Sequence, residues 1–148
     1  RGGSPIQNLI MEGFQTSLVC AIKMTEKLDA GPIYSSSNIS LEGNLNSIFL
    51  RLNDAVNELI VKIISKNPEP IAQVGAPHIF KRLGVEDNEI VYKANIEDFY
   101  DSIRMLDDPS YPNAYLRLEN VCIEFFEISR KGEELFCKAR ISPSDLKK

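Results

Sequence analysis

A single amphipathic stretch in the first half limits this chain's folding more than any other feature. Leu45, Ile48, Phe49, Leu52, Val56, Leu59, Ile60 and Ile63 recur at spacings of three and four, one broad apolar stripe along an α-helix. Asn44 stands where an N-cap belongs, its side-chain oxygen able to accept from the unpaired N–H groups of the first turn. Pro68 disfavours helical backbone at the residue before it, so the helix must stop near Asn67. A helix this long and apolar needs a sheet to cover. Only two strand-sized segments precede it. Residues 17–24 (SLVCAIKM) are almost continuously apolar, which predicts burial on both faces. Residues 33–39 are polar and Ser-rich and read as an exposed or edge strand. This is little sheet for so much helix, and it predicts that part of the sheet lies outside these 148 residues.

Ahead of the first strand, Pro5 has φ preset for a first helical turn and Ser4 is placed to cap it, giving a short helix over 5–13 ended by Gly13. Beyond the long helix the pattern changes. Pro68, Pro70, Gly75, Pro77 and Gly84 punctuate residues 67–93, which read as a linker with a strand-sized piece at 78–81. Asn95 then caps a second helix, with Asp98 three residues on in a capping-box arrangement. Ile96, Phe99, Ile103 and Leu106 are its buried stripe, and Asp107-Asp108-Pro109 stops it. Residues 114–118, 121–128 and 135–141 are strands, joined at 119–120 and 130–133. No internal repeat or low-complexity segment interrupts this order.

Charge and residue chemistry exclude several function classes. A net charge of −4 is no footprint of a nucleic-acid binder. Cys20, Cys122 and Cys137 make an odd count without C-x-x-C spacing, so they read as buried small hydrophobes in a reducing cytoplasm rather than as zinc ligands or disulfides. The single histidine, His78, lies among prolines with no acidic or thiol cluster around it, which argues against a metal. No G-x-x-x-x-G-K follows Gly2-Gly3, so they form no phosphate loop. Tyr100, Tyr111, Tyr115, Phe125, Phe126 and Phe136 fit core and hairpin packing better than a base-stacking platform, since Phe125 and Phe126 must point to opposite sheet faces. No run is long enough for a membrane span and no signal-peptide pattern opens the chain.

Two loops carry the functional signal. The chain opens Arg1-Gly2-Gly3-Ser4-Pro5-Ile6-Gln7, and Leu28-Asp29-Ala30-Gly31-Pro32-Ile33 follows the first strand. Taken alone, Asp29 is a turn-former that bonds its own following backbone, with Gly31 supplying a conformation other residues resist. A carboxylate on a loop fixed between strands is also a common way to build a reactive site. In register over residues 1–34, these loops resemble the folate-dependent formyltransferase family, which includes methionyl-tRNA formyltransferase and the sugar-nucleotide N-formyltransferases. Phe80-Lys81-Arg82…Glu86-Asp87 echoes that family's linker, although Leu83-Gly84-Val85 breaks the pattern, and Pro112-Asn113-Ala114-Tyr115 is similar to a run in its C-terminal domain.

The resemblance implies an α/β fold. Residues 1–74 would be the second half of a Rossmann-like formyltransferase domain, and 75–148 a linker followed by a small helix and an antiparallel, open-barrel-like β unit. It implies a catalytic role for Asp29, with Arg1, Gly2, Pro5, Ile6 and Gln7 lining the substrate and folate cleft. Leu28, Ala30 and Gly31 would turn their backbone to the pterin of 10-formyltetrahydrofolate, the formyl donor, with no metal. In such an enzyme an amine attacks the formyl carbon, and a carboxylate beside a histidine handles the proton that the nitrogen loses. The family's Asn and His would fall ahead of Arg1. The chain therefore reads as the C-terminal portion of a longer enzyme, inactive alone, whose partner is the N-terminal half of the same domain. Unpaired strand edges would also permit a homo-oligomer. The short C-terminal unit and acidic balance favour an amino sugar on a nucleotide carrier as acceptor, with methionyl-tRNA the alternative. A non-catalytic folate-binding or assembly module is the reading from another class.

Overall fold

In a computed structural model, residues 1–91 and 95–144 are described, so the second sequence-defined part, 75–148, includes residues 92–94 and 145–148 outside that range. The long helix α2 forms over Leu45–Lys66. Asn44 caps it as expected, its Oδ1 accepting from the Ser47 N–H at 3.0 Å. Asn67 ends it in the left-handed region (φ 41°) just before Pro68. The helix covers an antiparallel pair, β1 (Thr16–Ile22) and β2 (Ile33–Ser40), with Thr16 opposite Ser40.

That sheet corrects two expectations. β1 is not buried on both faces: its side chains alternate, Leu18 is 64% exposed, and Cys20 is exposed as well. α2 lies on one face of a pair only two strands wide, and no other described element covers the opposite face. The helix stripe is narrower for the same reason. Leu45, Ile48, Ala55 and Leu59 are buried, whereas Val56 and Ile60 face outward. Of the three cysteines only Cys122 is buried, since Cys20 and Cys137 sit on open strand faces.

The short helix α1 (Pro5–Met11) begins with Pro5 at its first position, but Ser4 does not cap it. Ser4 takes a left-handed backbone (φ 48°) and its hydroxyl instead accepts from the Leu83 N–H at 3.2 Å. Asn8 ties the same loop to the linker, its amide donating to the Ser4 and Lys81 carbonyls at 2.8 and 2.9 Å. The linker is therefore pinned rather than loose. Ile71 exchanges both backbone hydrogen bonds with Ile33, and Phe80 pairs with Gly2 in a single parallel bridge, all that forms of the piece expected at 78–81. A short 3-10 turn, Val85–Asn88, follows. Asp87 anchors it, accepting from Lys81 Nζ at 2.7 Å and the Gly84 N–H at 2.8 Å, and these two donors, Lys81 first, hold its carboxyl below the ordinary range.

Helix α3 (Ile96–Arg104) starts at Asn95, which accepts from the Asp98 N–H at 2.8 Å and donates back to the Asp98 carboxylate. After it come β3 (Ala114–Arg117), β4 (Val121–Lys131) and β5 (Glu134–Pro143), an antiparallel meander in that spatial order. β4 bulges at Glu127, whose φ is 52°. The two N–H groups freed there, of Glu127 and Ile128, donate to the Asp107 carboxylate at 2.8 and 3.1 Å. Asp107 thus does more than stop α3. Phe125 meets Phe99 of α3 edge-on at 5.7 Å, while Phe126 lies beneath Arg140 on the other face.

The two parts share one core. Ile10, Ile39, Leu41 and Ile48 cluster with Ile90, Ile103, Met105, Leu106, Ala114 and Ile128. Across it runs Arg104, 4% exposed, which bonds Asp101 at 2.6 Å and reaches back to the carbonyls of Leu41 (2.5 Å) and Gly43 (2.9 Å). Substituting Arg104→Met keeps the apolar stem but strips both carbonyls and Asp101 of their donor. Breaking such a buried network costs about 3 kcal/mol. Denaturant unfolding should show a loss of that order, with the slope m unchanged.

Candidate functional site

The connection between β1 and β2 carries Asp29. It is closed at its base by the Lys23 N–H donating to the Pro32 carbonyl at 2.8 Å, and inside it the Lys27 carbonyl accepts from Thr25 Oγ1 and the Ala30 N–H. The conformational roles differ from those expected. Asp29 itself is left-handed (φ 53°). Gly31 is required for space, because a Cβ there would stand 1.7 Å from the Lys23 carbonyl oxygen. Nor does the Asp29 carboxylate bond its own following backbone. It is exposed, without a hydrogen-bond partner among the described residues.

The turn is held from outside instead. Gln73, in the linker, donates its Nε2 to the carbonyls of Gly31 (2.7 Å) and Asp29 (3.1 Å), while its Oε1 accepts from Arg1 Nη2 at 2.7 Å. The first residue of the opening loop and the aspartate turn are thereby joined through a side chain that sequence reasoning passed over. Its signal was one polar residue within the otherwise apolar Ile-Ala-Gln-Val-Gly-Ala-Pro run at 71–77. Gly2 sits beside this junction with φ 112°, and its bridge to Phe80 leaves no room for a side chain.

Pro5, Ile6 and Gln7 belong to a different concavity. A cleft of about 600 Å³ opens between residues 3–7, the linker at 82–85 and the segment 110–112. Gln7 lines it at 3% exposure, and its buried amide nitrogen has no hydrogen-bond partner among the described residues. A buried donor without an acceptor is costly, about 1–3 kcal/mol, unless something supplies one. Arg82 and Tyr111 stand at the same cleft, with the Tyr111 ring 5.9 Å from that of Phe49. Asp29 and Leu28 do not line it. They occupy the exposed tip of their turn, Leu28 at 82% exposure. The sequence-defined site residues therefore form two neighbourhoods, Arg1, Gly2 and residues 28–31 at the Gln73 junction, and Pro5, Ile6 and Gln7 in the cleft.

Other reactive groups are set aside by their surroundings. His78 meets Glu12 at 3.3 Å, both in solvent. Partial burial pushes the Cys20 and Cys137 thiols up, away from nucleophilic thiolates. Among the described residues no group of three His, Cys, Asp or Glu could hold a metal ion, and no helix is long and apolar enough to cross a membrane.

Residues 85–142 match the family described as methionyl-tRNA formyltransferase, C-terminal domain. The methionyl-tRNA formyltransferase of Wolinella succinogenes is 29% identical over 137 residues, which cover 90% of this chain and 44% of that protein. Among solved structures, methionyl-tRNA formyltransferase from Clostridium thermocellum superposes with a TM-score of 0.91 at 34% identity, covering 97% of this chain and 63% of that one. A 4-N formyltransferase from Francisella tularensis shares the fold, with a TM-score of 0.67 at 19% identity over 80% of this chain and 52% of that one. The chain spans 39% to 53% of the length of the curated relatives it matches. What the matches have in common is kinship with formyltransferases over a C-terminal portion of their length.

The two kinds of glycine offer a check on the site's packing. Gly132→Ala meets no neighbour within 4 Å and carries only the penalty of its left-handed φ of 60°, about 1 kcal/mol. Gly31→Ala carries no such φ penalty but must push the Lys23 carbonyl aside, so its loss of stability should approach about 3 kcal/mol. Unfolding midpoints of the two variants compare them directly.

Proposed function

We propose that this chain, a relative of formyltransferases over a C-terminal portion of their length, serves an enzyme that transfers the formyl group of 10-formyltetrahydrofolate to the amine of methionyl-tRNA. The observation carrying this reading is the likeness of nearly the whole chain, Asp29 turn and meander together, to one methionyl-tRNA formyltransferase. This reverses the order of acceptors expected from the sequence, where an amino sugar came first. The net charge of −4 belongs to a stretch that covers 44% of the Wolinella succinogenes relative, so it does not fix the charge of the whole surface that meets the acceptor.

The donor, when bound, supplies an electrophilic formyl carbon. The residues at the turn suit it: exposed Leu28 offers an apolar side chain beside the accessible Lys27–Asp29 stretch, against which a flat heteroaromatic ring can lie. The Asp29 carboxylate, standing free at the tip, takes the proton that the attacking amine loses as its nitrogen bonds the formyl carbon, and that proton passes to the departing tetrahydrofolate nitrogen as the old C–N bond breaks. The acceptor approaches through the cleft, where exposed Arg82 attracts its phosphate.

The protein carrying this chain should formylate methionyl-tRNA and leave a nucleotide-linked amino sugar unchanged in parallel assays. Product from the sugar alone would restore the other acceptor, and product from neither would leave a non-catalytic binding module. Asp29→Asn keeps the size and turn preference of the side chain but removes its basicity. Turnover should fall by about 10²–10⁴-fold with an unchanged melting temperature.

A further inference from the structure

We propose that Gln73 is a positioning residue that holds the aspartate turn in its working conformation and couples it to Arg1. This inference rests on the catalytic reading of Asp29. A primary amide has two N–H donors on one atom and an acceptor on the other. All three directions are used here, since Nε2 bonds the carbonyls of Asp29 and Gly31 while Oε1 receives the Arg1 guanidinium. The opposite orientation of the amide would set nitrogen against the guanidinium and oxygen against two carbonyls, so the bonding pattern admits only one arrangement. Other side chains fall short. Glutamate keeps the acceptor for Arg1 but has no donors for the turn, and lysine has donors but no acceptor.

The placement argues for more than bracing. Ile71, two residues earlier, already secures this segment to β2 by exchanging two backbone bonds with Ile33. Gln73 adds little to that attachment. What it does hold are the carbonyls on either side of Ala30, in a loop whose Asp29 occupies a left-handed conformation, less favourable than the right-handed one even for aspartate. The aspartate side chain is exposed and no other described side chain bonds the carbonyls of residues 29 and 31, so its direction depends on the backbone that Gln73 grips.

The test compares Gln73→Met, which removes all three bonds at similar volume, with Gln73→Glu, which removes only the two to the turn. In the protein carrying this chain, three quantities are measured: melting temperature, hydrogen exchange of the amides of residues 26–31, and kcat and KM for formyl transfer. Both variants should melt within a few degrees of the parent. Exchange over 26–31 should quicken at least tenfold, and kcat should drop by about 10–100-fold, the scale of a small misplacement of a reacting group, while KM for the acceptor moves less than about threefold. A parent-like kcat in Gln73→Met, or a fallen kcat with unchanged exchange, overturns the proposal. So does a rise in KM alone. Should the parent itself formylate neither acceptor, the proposed reaction fails on that result. The clamp is then judged by exchange alone: quickening confined to residues 26–31 in both variants upholds it, and parent-like exchange rejects it.

Discussion

Four consecutive carbonyls, of residues 40–43, lie where β2 gives way to α2, and two arginines bind all four. Arg51 from α2 takes those of Ser40 and Glu42, and Arg104 from α3 takes those of Leu41 and Gly43. Leu41 is itself fully buried, so its carbonyl cannot turn to water for a replacement. The remainder of the architecture hangs on this grip. It sets the angle at which α2 leaves the sheet, and it draws α3, with the meander packed on it, onto the first part of the chain. A buried guanidinium is weak evidence of net stabilisation, because removing it from water is expensive. Its directional bonds do decide where α3 sits, since apolar contacts alone would accept several orientations.

The segment between α2 and α3 has a comparable organising role despite its lack of regular structure. It bonds β2 through Ile71, the aspartate turn and Arg1 through Gln73, the opening loop through Phe80 and Leu83, and β3 through Ile90. Each attachment uses a backbone or amide group that an isolated linker would leave to water. Because both neighbourhoods of site residues border this one segment, a shift of the strap would be felt at the Asp29 turn and at the Gln7 cleft together. A binding site divided between a fixed scaffold and a bonded strap keeps its geometry without a large core of its own.

Local chemistry in the chain was read well where short-range rules apply. Asn44 and Asn95 cap their helices because an N-cap needs only a side-chain oxygen within three residues, and Asn67 stops α2 because Pro68 follows it. The hairpin between β4 and β5 forms where Gly132 permits it. The errors concern partners and cover supplied by distant parts of the chain. Continuous apolar residues in β1 suggested burial on both sides, yet the pair β1–β2 is covered on one. Ser4 had the residue type of a cap but found a better donor 79 positions away in the Leu83 N–H. The role of Gln73 was equally out of reach, because nothing in its neighbours indicates bonds to residues 42, 44 and 72 positions distant.

By itself, then, the sequence determined the elements, their caps and stops, and the two loop signatures that led to the formyltransferases. These depend on φ restrictions and hydrogen bonds spanning a few residues, which a string of letters specifies almost completely. Only the tertiary structure decided which apolar faces are covered and that Gly31 is needed for clearance rather than for its φ. It also decided that Gln7 is buried in the wall of a cleft while Asp29 stands apart on a turn clamped by Gln73. Those outcomes depend on which distant group occupies a given volume, and that is settled by the packing of the whole chain.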